Sequence, residues 1–189
     1  MRIRHQMKRY LITDPAYYSD LSSFQHYLKK SFYTKTPDLA SFRDKVHPDI
    51  AEYAKTFLAL GREAQIPRLL INRSVPLAVS LGFDGVHLTS TQFDEIAPAK
   101  AEGLYVFIST HSLEEAKRAE EYGADAITLS PVFASPGKGV PKGIAWLEEI
   151  ASQLKEVSVY ALGGIVSDHE ADRLKVCSVE GFASIRYFI

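Results

Sequence analysis

Short apolar runs alternate with stretches of helical periodicity along the whole chain, and this alternation limits the fold more than any other feature. The runs cover residues 9–14, 39–45, 68–72, 84–88, 105–108, 124–129, 157–162 and 181–187. Each is too short for a helix, and most read as strands buried on both faces. Helical spacing occupies residues 20–32, 50–60, 75–81, 92–100, a segment opening at Ser112 with Glu115 as a capping box, 144–154 and 167–175. Strands alternating with helices predict a parallel β/α architecture. Eight strands with no linker or low-complexity break predict one domain over residues 1–189, a small (β/α)8 TIM barrel rather than a doubly wound sheet. No helix follows the eighth strand before Ile189. A barrel lacking that helix exposes apolar surface between its first and last strands. The expectation is a homo-oligomer in which a second copy covers the seam, or that the N-terminal residues do so.

A length of 189 residues suits one core. The net charge of -1 gives no reason to expect nucleic acid or an acidic membrane as partner. No apolar run is long enough for a signal peptide or a transmembrane helix. The single cysteine, Cys177, excludes an internal disulfide and fits a reducing cytoplasm. With no histidine or acid near it in the sequence, it reads as a packing residue near a helix end.

In a parallel sheet, ligands bind at the carboxyl edge of the strands, so residues at strand ends are the candidates for chemistry. His111 falls between the end of the fifth strand and the cap of the next helix. There it is either an acid–base group, since histidine exchanges a proton near neutral pH, or a surface histidine bonded to a neighbouring loop. His87 lies inside a strand and reads as a core histidine with a backbone partner, and His169 as a solvated one. Gly163 and Gly164 follow the seventh strand, where backbone N–H groups of a glycine pair can approach an anion. Ser184 and Arg186 end the eighth strand beside them, and Arg186 offers a planar donor array suited to phosphate. Ser41, Arg43 and Lys45 share a face of the second strand, so the two cations either bind an anionic ligand or pair with acids at the rim. The long loop 130–143 carries Lys138 and Lys142, which either close over a phosphate or remain solvated. No Cys, His and carboxylate cluster has the spacing of a zinc site.

These residues together resemble the thiamine phosphate synthase and TenI family over nearly the whole chain. The resemblance is carried by YLITD near the start, SFRDK, LLIN, FDGVHL, STHSLEEA, the SPVF loop and ALGGI, in that order. It implies a barrel that binds a phosphorylated thiazole, with Arg43, Lys45, Asn72, Ser109 and Lys138 as substrate-binding positions. It further implies that Gly163, Gly164 and the end of the eighth strand at Ser184 anchor phosphate, with Arg186 standing where the family carries a small serine.

The synthase branch holds Mg²⁺ with an aspartate after L-I-N and another in H-L-G-Q-E-D. Here Arg73 follows Asn72, and Thr89-Ser90-Thr91-Gln92 follows His87-Leu88. Magnesium needs hard oxygen ligands, so the expectation is no metal and no other cofactor, with Mg²⁺ only if the synthase reading holds. The family's glutamine is replaced by Ser41. Its threonine-rich P-T-P-T-K loop is replaced by Ala134-Ser135-Pro136-Gly137-Lys138. The TenI branch resembles the chain better on these points. It implies a thiazole tautomerase, with His111 as the catalytic group, aromatising a carboxythiazole phosphate by moving one proton. The alternatives are the synthase, joining hydroxymethylpyrimidine diphosphate to thiazole phosphate, and a non-catalytic phosphate-binding regulator whose pocket Arg186 fills.

Overall fold

The computed structural model describes residues 6–189. The strands are β1 (Lys8–Ile12), β2 (Leu39–Phe42), β3 (Arg68–Asn72), β4 (Gly85–Leu88), β5 (Tyr105–Thr110), β6 (Ala126–Leu129), β7 (Ser158–Leu162) and β8 (Gly181–Ser184). They pair in parallel in sequence order, and β8 returns to β1 through Lys8↔Gly181 to Leu11↔Ser184, closing an eight-stranded barrel. The helices are α1 (Leu21–Lys35), α2 (Ile50–Glu63), α3 (Val75–Leu81), α4 (Ile96–Ala101), α5 (Leu113–Glu121), α6 (Gly143–Ala151) and α7 (Asp168–Arg173). None of them is long and apolar enough to cross a membrane.

Alternation along the strands divides two apolar sets. Leu11, Ala40, Leu69, Ile71, Val86, Val106, Ile108, Ile127 and Phe182 face the helices in one continuous core. Tyr10, Leu70, Phe107 and Tyr160 come from the odd strands and fill the inside of the barrel. Phe107 anchors that layer, its ring 4.8 Å from Tyr10 and 5.0 Å from Tyr160. One step nearer the carboxyl edge, the even strands contribute Ser41, His87, Thr128 and Ala183. This second layer is mostly polar.

Four elements depart from the sequence reading. The second strand stops at Phe42, because Thr13 takes the next residue out of the ladder: Arg43 N donates to Thr13 Oγ1 (2.8 Å), and that hydroxyl donates to Arg43 O (3.1 Å). Arg43 and Lys45 therefore stand in the loop after β2, not on a strand face. The eighth strand stops at Ser184, and Arg186–Phe188 form a 3-10 turn. Ser184 Oγ causes the change, accepting from Tyr187 N (3.2 Å) while donating to Ile165 O (2.6 Å). Residues 93–95 form a 3-10 turn ahead of α4, and residues 174–176 another after α7.

As expected, no α-helix follows β8 among the described residues; the turn at 186–188 stands in its place. Tyr187 and Phe188 are buried beside α1; the Tyr187 hydroxyl donates to Asp168 (2.6 Å), and Lys35 Nζ sits 4.6 Å from its ring centroid. The last turn thus fills part of the seam that the sequence left open. Of the other suggested cover, the N-terminal residues, the first five lie outside the described residues.

Candidate active site at the carboxyl edge

His111 follows β5 directly and is held by its backbone. Its N–H donates to Glu115 Oε2 (2.6 Å) and its carbonyl accepts from Lys142 Nζ. The capping box expected at Ser112 is therefore only half made. Ser112 Oγ accepts from Glu115 N (3.1 Å), but the glutamate returns to His111 instead of to the cap residue. The imidazole is exposed, and its Nδ1 lies 3.2 Å from both the carbonyl oxygen and Oγ of Ser130.

The loop from Ser130 joins His111 to the glycine pair. Val132 N donates to Leu162 O (3.0 Å) and Phe133 N to Gly163 O (3.0 Å), so the loop extends the β6–β7 pairing past the barrel edge. Gly163 and Gly164 have φ of 105° and 70°. A Cβ on Gly163 would meet Pro131 Cα at 2.9 Å, and one on Gly164 the Phe133 carbonyl carbon at 2.7 Å. The pair is thus required for close approach of the loop. Among the described residues, neither glycine N–H meets a protein acceptor, which leaves both available to an anion.

The cations gather on the opposite side of the mouth. β2 pairs with β3 through Phe42↔Ile71, which sets Arg43 beside Asn72 and Arg73. Arg43 is half-buried, with its guanidinium 3.5 Å from Asp14. The Arg43 cation, then partial burial, then Arg73 and Lys138 hold the Lys45 ammonium below lysine's usual range. Sequence reasoning missed Arg73 as a member of this group. It is a non-glycine residue at φ 71°, clamped by Arg73 N donating to His87 O (2.9 Å) and Gln92 Nε2 donating to Arg73 O (2.9 Å). Asn72 Nδ2 donates to the same His87 carbonyl (3.0 Å).

The loop bearing Arg43 and Lys45 is fixed from below by Asp44. Its carboxylate accepts from Tyr18 Oη (2.8 Å), from Val46 N (2.8 Å) and, at 2.8 Å, faces His47 Nδ1. Burial alone would raise Asp44, but the amides of Val46 and His47 and the two side chains outweigh it and hold it below the usual carboxylate range. The same contact raises His47.

The other candidates fall as follows. Lys138 is exposed at the tip of the loop, while Lys142 is engaged at His111 and lies 4.6 Å from the Trp146 ring centroid. The Ser184 hydroxyl is buried and engaged, donating to Ile165 O and accepting from Tyr187 N; Arg186 is exposed at the start of the last turn. His87 has side-chain partners where a backbone partner was expected, with Nδ1 2.6 Å from Tyr10 Oη and Nε2 3.1 Å from Ser109 Oγ. Burial, assisted by the Arg43 charge, pushes it down to about 3. Cys177 is half-buried and its thiol is pushed up to about 11, chiefly by burial, which makes it a poor nucleophile.

These residues do not fit a magnesium site of the two-aspartate kind. Position 73 carries a cation. At the end of β4, Gln92 Oε1 is taken by Thr89 N and Oγ1 (both 3.0 Å). Among the described residues, no group of three or more His, Cys, Asp or Glu side chains is placed so that it could hold a metal ion.

Residues 9–188 match the family model described as thiamine monophosphate synthase. The chain is 30% identical over 188 residues to a thiamine-phosphate synthase of Pyrococcus furiosus, covering 98% of this chain and 88% of that one. A thiamine-phosphate synthase of Thermus thermophilus is 39% identical over 113 residues, which span 57% of this chain and 53% of the relative. Among solved structures, a thiamine phosphate pyrophosphorylase from Pyrococcus furiosus superposes with a TM-score of 0.75 at 29% identity, covering 97% of this chain and 88% of that one.

Proposed function

The chain belongs to the thiamine monophosphate synthase family, and from that premise we propose that it binds a phosphorylated thiazole and moves one proton on it without a metal, as a thiazole tautomerase. The observation that carries this reading is the contact between His111 and Ser130. The Ser130 carbonyl oxygen, 3.2 Å from Nδ1, can only accept, so Nδ1 is taken as the donor to it, with the equidistant Ser130 hydroxyl turned elsewhere. That leaves Nε2 of His111 as a bare base. With its main chain held by Glu115 and Lys142, the imidazole takes a proton from the carboxythiazole ring and returns one elsewhere on the conjugated system. The product is the aromatic isomer, and no electrons are gained or lost. The free N–H groups of Gly163 and Gly164 receive the phosphate and set the ring in place. His111→Asn should lower turnover by about 10² or more while phosphate affinity stays nearly unchanged. A fully active variant removes His111 from the mechanism.

A second reading, the synthase, is favoured by the gathering of Arg43, Lys45, Arg73 and Lys138 and by the names of the relatives. Such a group suits a diphosphate. Release of pyrophosphate on mixing hydroxymethylpyrimidine diphosphate with thiazole phosphate, assayed with and without Mg²⁺, decides for it.

A further inference from the structure

Tyr10 on β1, His87 on β4 and Ser109 on β5 point into the barrel and form one hydrogen-bonded line from its interior to its mouth. Tyr10 and His87 are buried, whereas Ser109 is half-buried at the edge. Their contacts are 2.6 Å from Tyr10 Oη to His87 Nδ1 and 3.1 Å from His87 Nε2 to Ser109 Oγ. The rings are fixed by packing: Tyr10 stacks on His87 at 5.6 Å, and Phe107 lies 5.3 Å from His87.

The direction of the line follows from counting protons. Tyr10 has one hydroxyl hydrogen. Of its neighbours only His87 Nδ1 meets hydrogen-bond geometry with Tyr10 Oη; the buried Ser41 hydroxyl on the next strand lies outside that geometry and acts on the phenol as a donor, so it takes no hydrogen from it. His87 Nδ1 is therefore the acceptor. Burial keeps the imidazole neutral, with a single N–H, which must then sit on Nε2. It donates to Ser109 Oγ, whose own hydrogen has no acceptor among the described residues and is left for the mouth.

We propose that Tyr10 and His87 are positioning residues that fix the Ser109 hydroxyl as a hydrogen-bond donor, so that the mouth selects a heteroaromatic ligand presenting a ring nitrogen or carboxylate oxygen there. The ligand class rests on the reading given under Proposed function. The hydrogen-bond direction does not.

Nitrogen-15 NMR of histidine-labelled full-length protein tests the direction. The expected spectrum has His87 neutral with its proton on Nε2, and Tyr10→Phe, which keeps the ring, abolishes that preference. Calorimetry with thiazole phosphate tests the consequence. Tyr10→Phe and Ser109→Ala should each weaken binding about tenfold, and the double variant no more than Ser109→Ala alone, because both remove the same bond. Melting temperatures within a few degrees of the wild type show that each variant folds. A proton on Nδ1 overturns this proposal and leaves the tautomerase reading standing. So does unchanged binding by Tyr10→Phe where Ser109→Ala is weakened. No binding of thiazole phosphate by the wild type overturns the ligand class together with that reading.

Discussion

Gly164 lies so close beneath Phe133 that a Cβ at position 164 would come within 2.7 Å of the Phe133 carbonyl carbon. The loop 130–143 and the end of β7 share one space, and a side chain there separates them. Gly164→Ala should destabilise the protein by about 1–3 kcal/mol, from left-handed strain and the clash together. Affinity for inorganic phosphate should fall as well. Gly82→Ala is the control: its φ is 78°, but nothing lies within 4 Å, so only strain is felt. Thermal melts that lower both variants equally would show that the loop does not rest on the glycine.

His87 makes stability depend on pH. The unfolded imidazole takes up a proton near the ordinary histidine value of about 6.5, whereas the folded one resists to about 3. Between those limits the unfolded state binds more protons. The contribution is complete above about pH 6.5 and falls by roughly 1.4 kcal/mol per pH unit as the solution becomes more acidic. Denaturant unfolding at several pH values should show this slope in the wild type and a slope smaller by about one proton in His87→Gln. Equal slopes would mean that His87 titrates normally.

Arg73 exchanges stability for charge. Arg73→Gly removes the cost of a left-handed arginine and should raise stability by up to about 1 kcal/mol, part of the gain being lost to the entropy of glycine. The same change removes one of the cations acting on Lys45, so the ammonium should titrate at higher pH. Affinity for inorganic pyrophosphate should fall by about fivefold, measured by calorimetry. Unchanged affinity would place the Arg73 side chain outside the anion site.

Phe188 is 1% exposed in the last turn, where it does part of the work of a helix. Phe188→Ala should cost about 3–5 kcal/mol, as for other buried aromatic truncations. Tyr187→Phe, which loses only the bond to Asp168, should cost about 1 kcal/mol. A mild effect of Phe188→Ala on the unfolding midpoint would show that the turn is ornamental.

The barrel and its mouth were legible because strand runs and strand ends are local. His111 before the Ser112 cap, and the glycines straight after 157–162, needed only counting along the chain. The misreadings came from side chains that capture backbone. Alternation of Ser41, Arg43 and Lys45 looks like strand, but Thr13, distant in sequence, occupies both backbone groups of Arg43. The apolar stretch to Tyr187 looks like strand until Ser184 draws in the Tyr187 amide. The pairing of His87 with Tyr10 and Ser109 joins three strands and exists only once the barrel closes. The left-handed Arg73 had no sequence signal at all, since nothing about an arginine announces φ above zero.

Lys142 and Glu115 grip the two backbone groups of His111 from different segments, one at the end of the long loop and one inside α5. The loop therefore cannot lift without letting go of the His111 carbonyl. On the proposed reading of His111 as the base, whatever props that segment away from the barrel also removes one of the two backbone restraints on the residue that reacts.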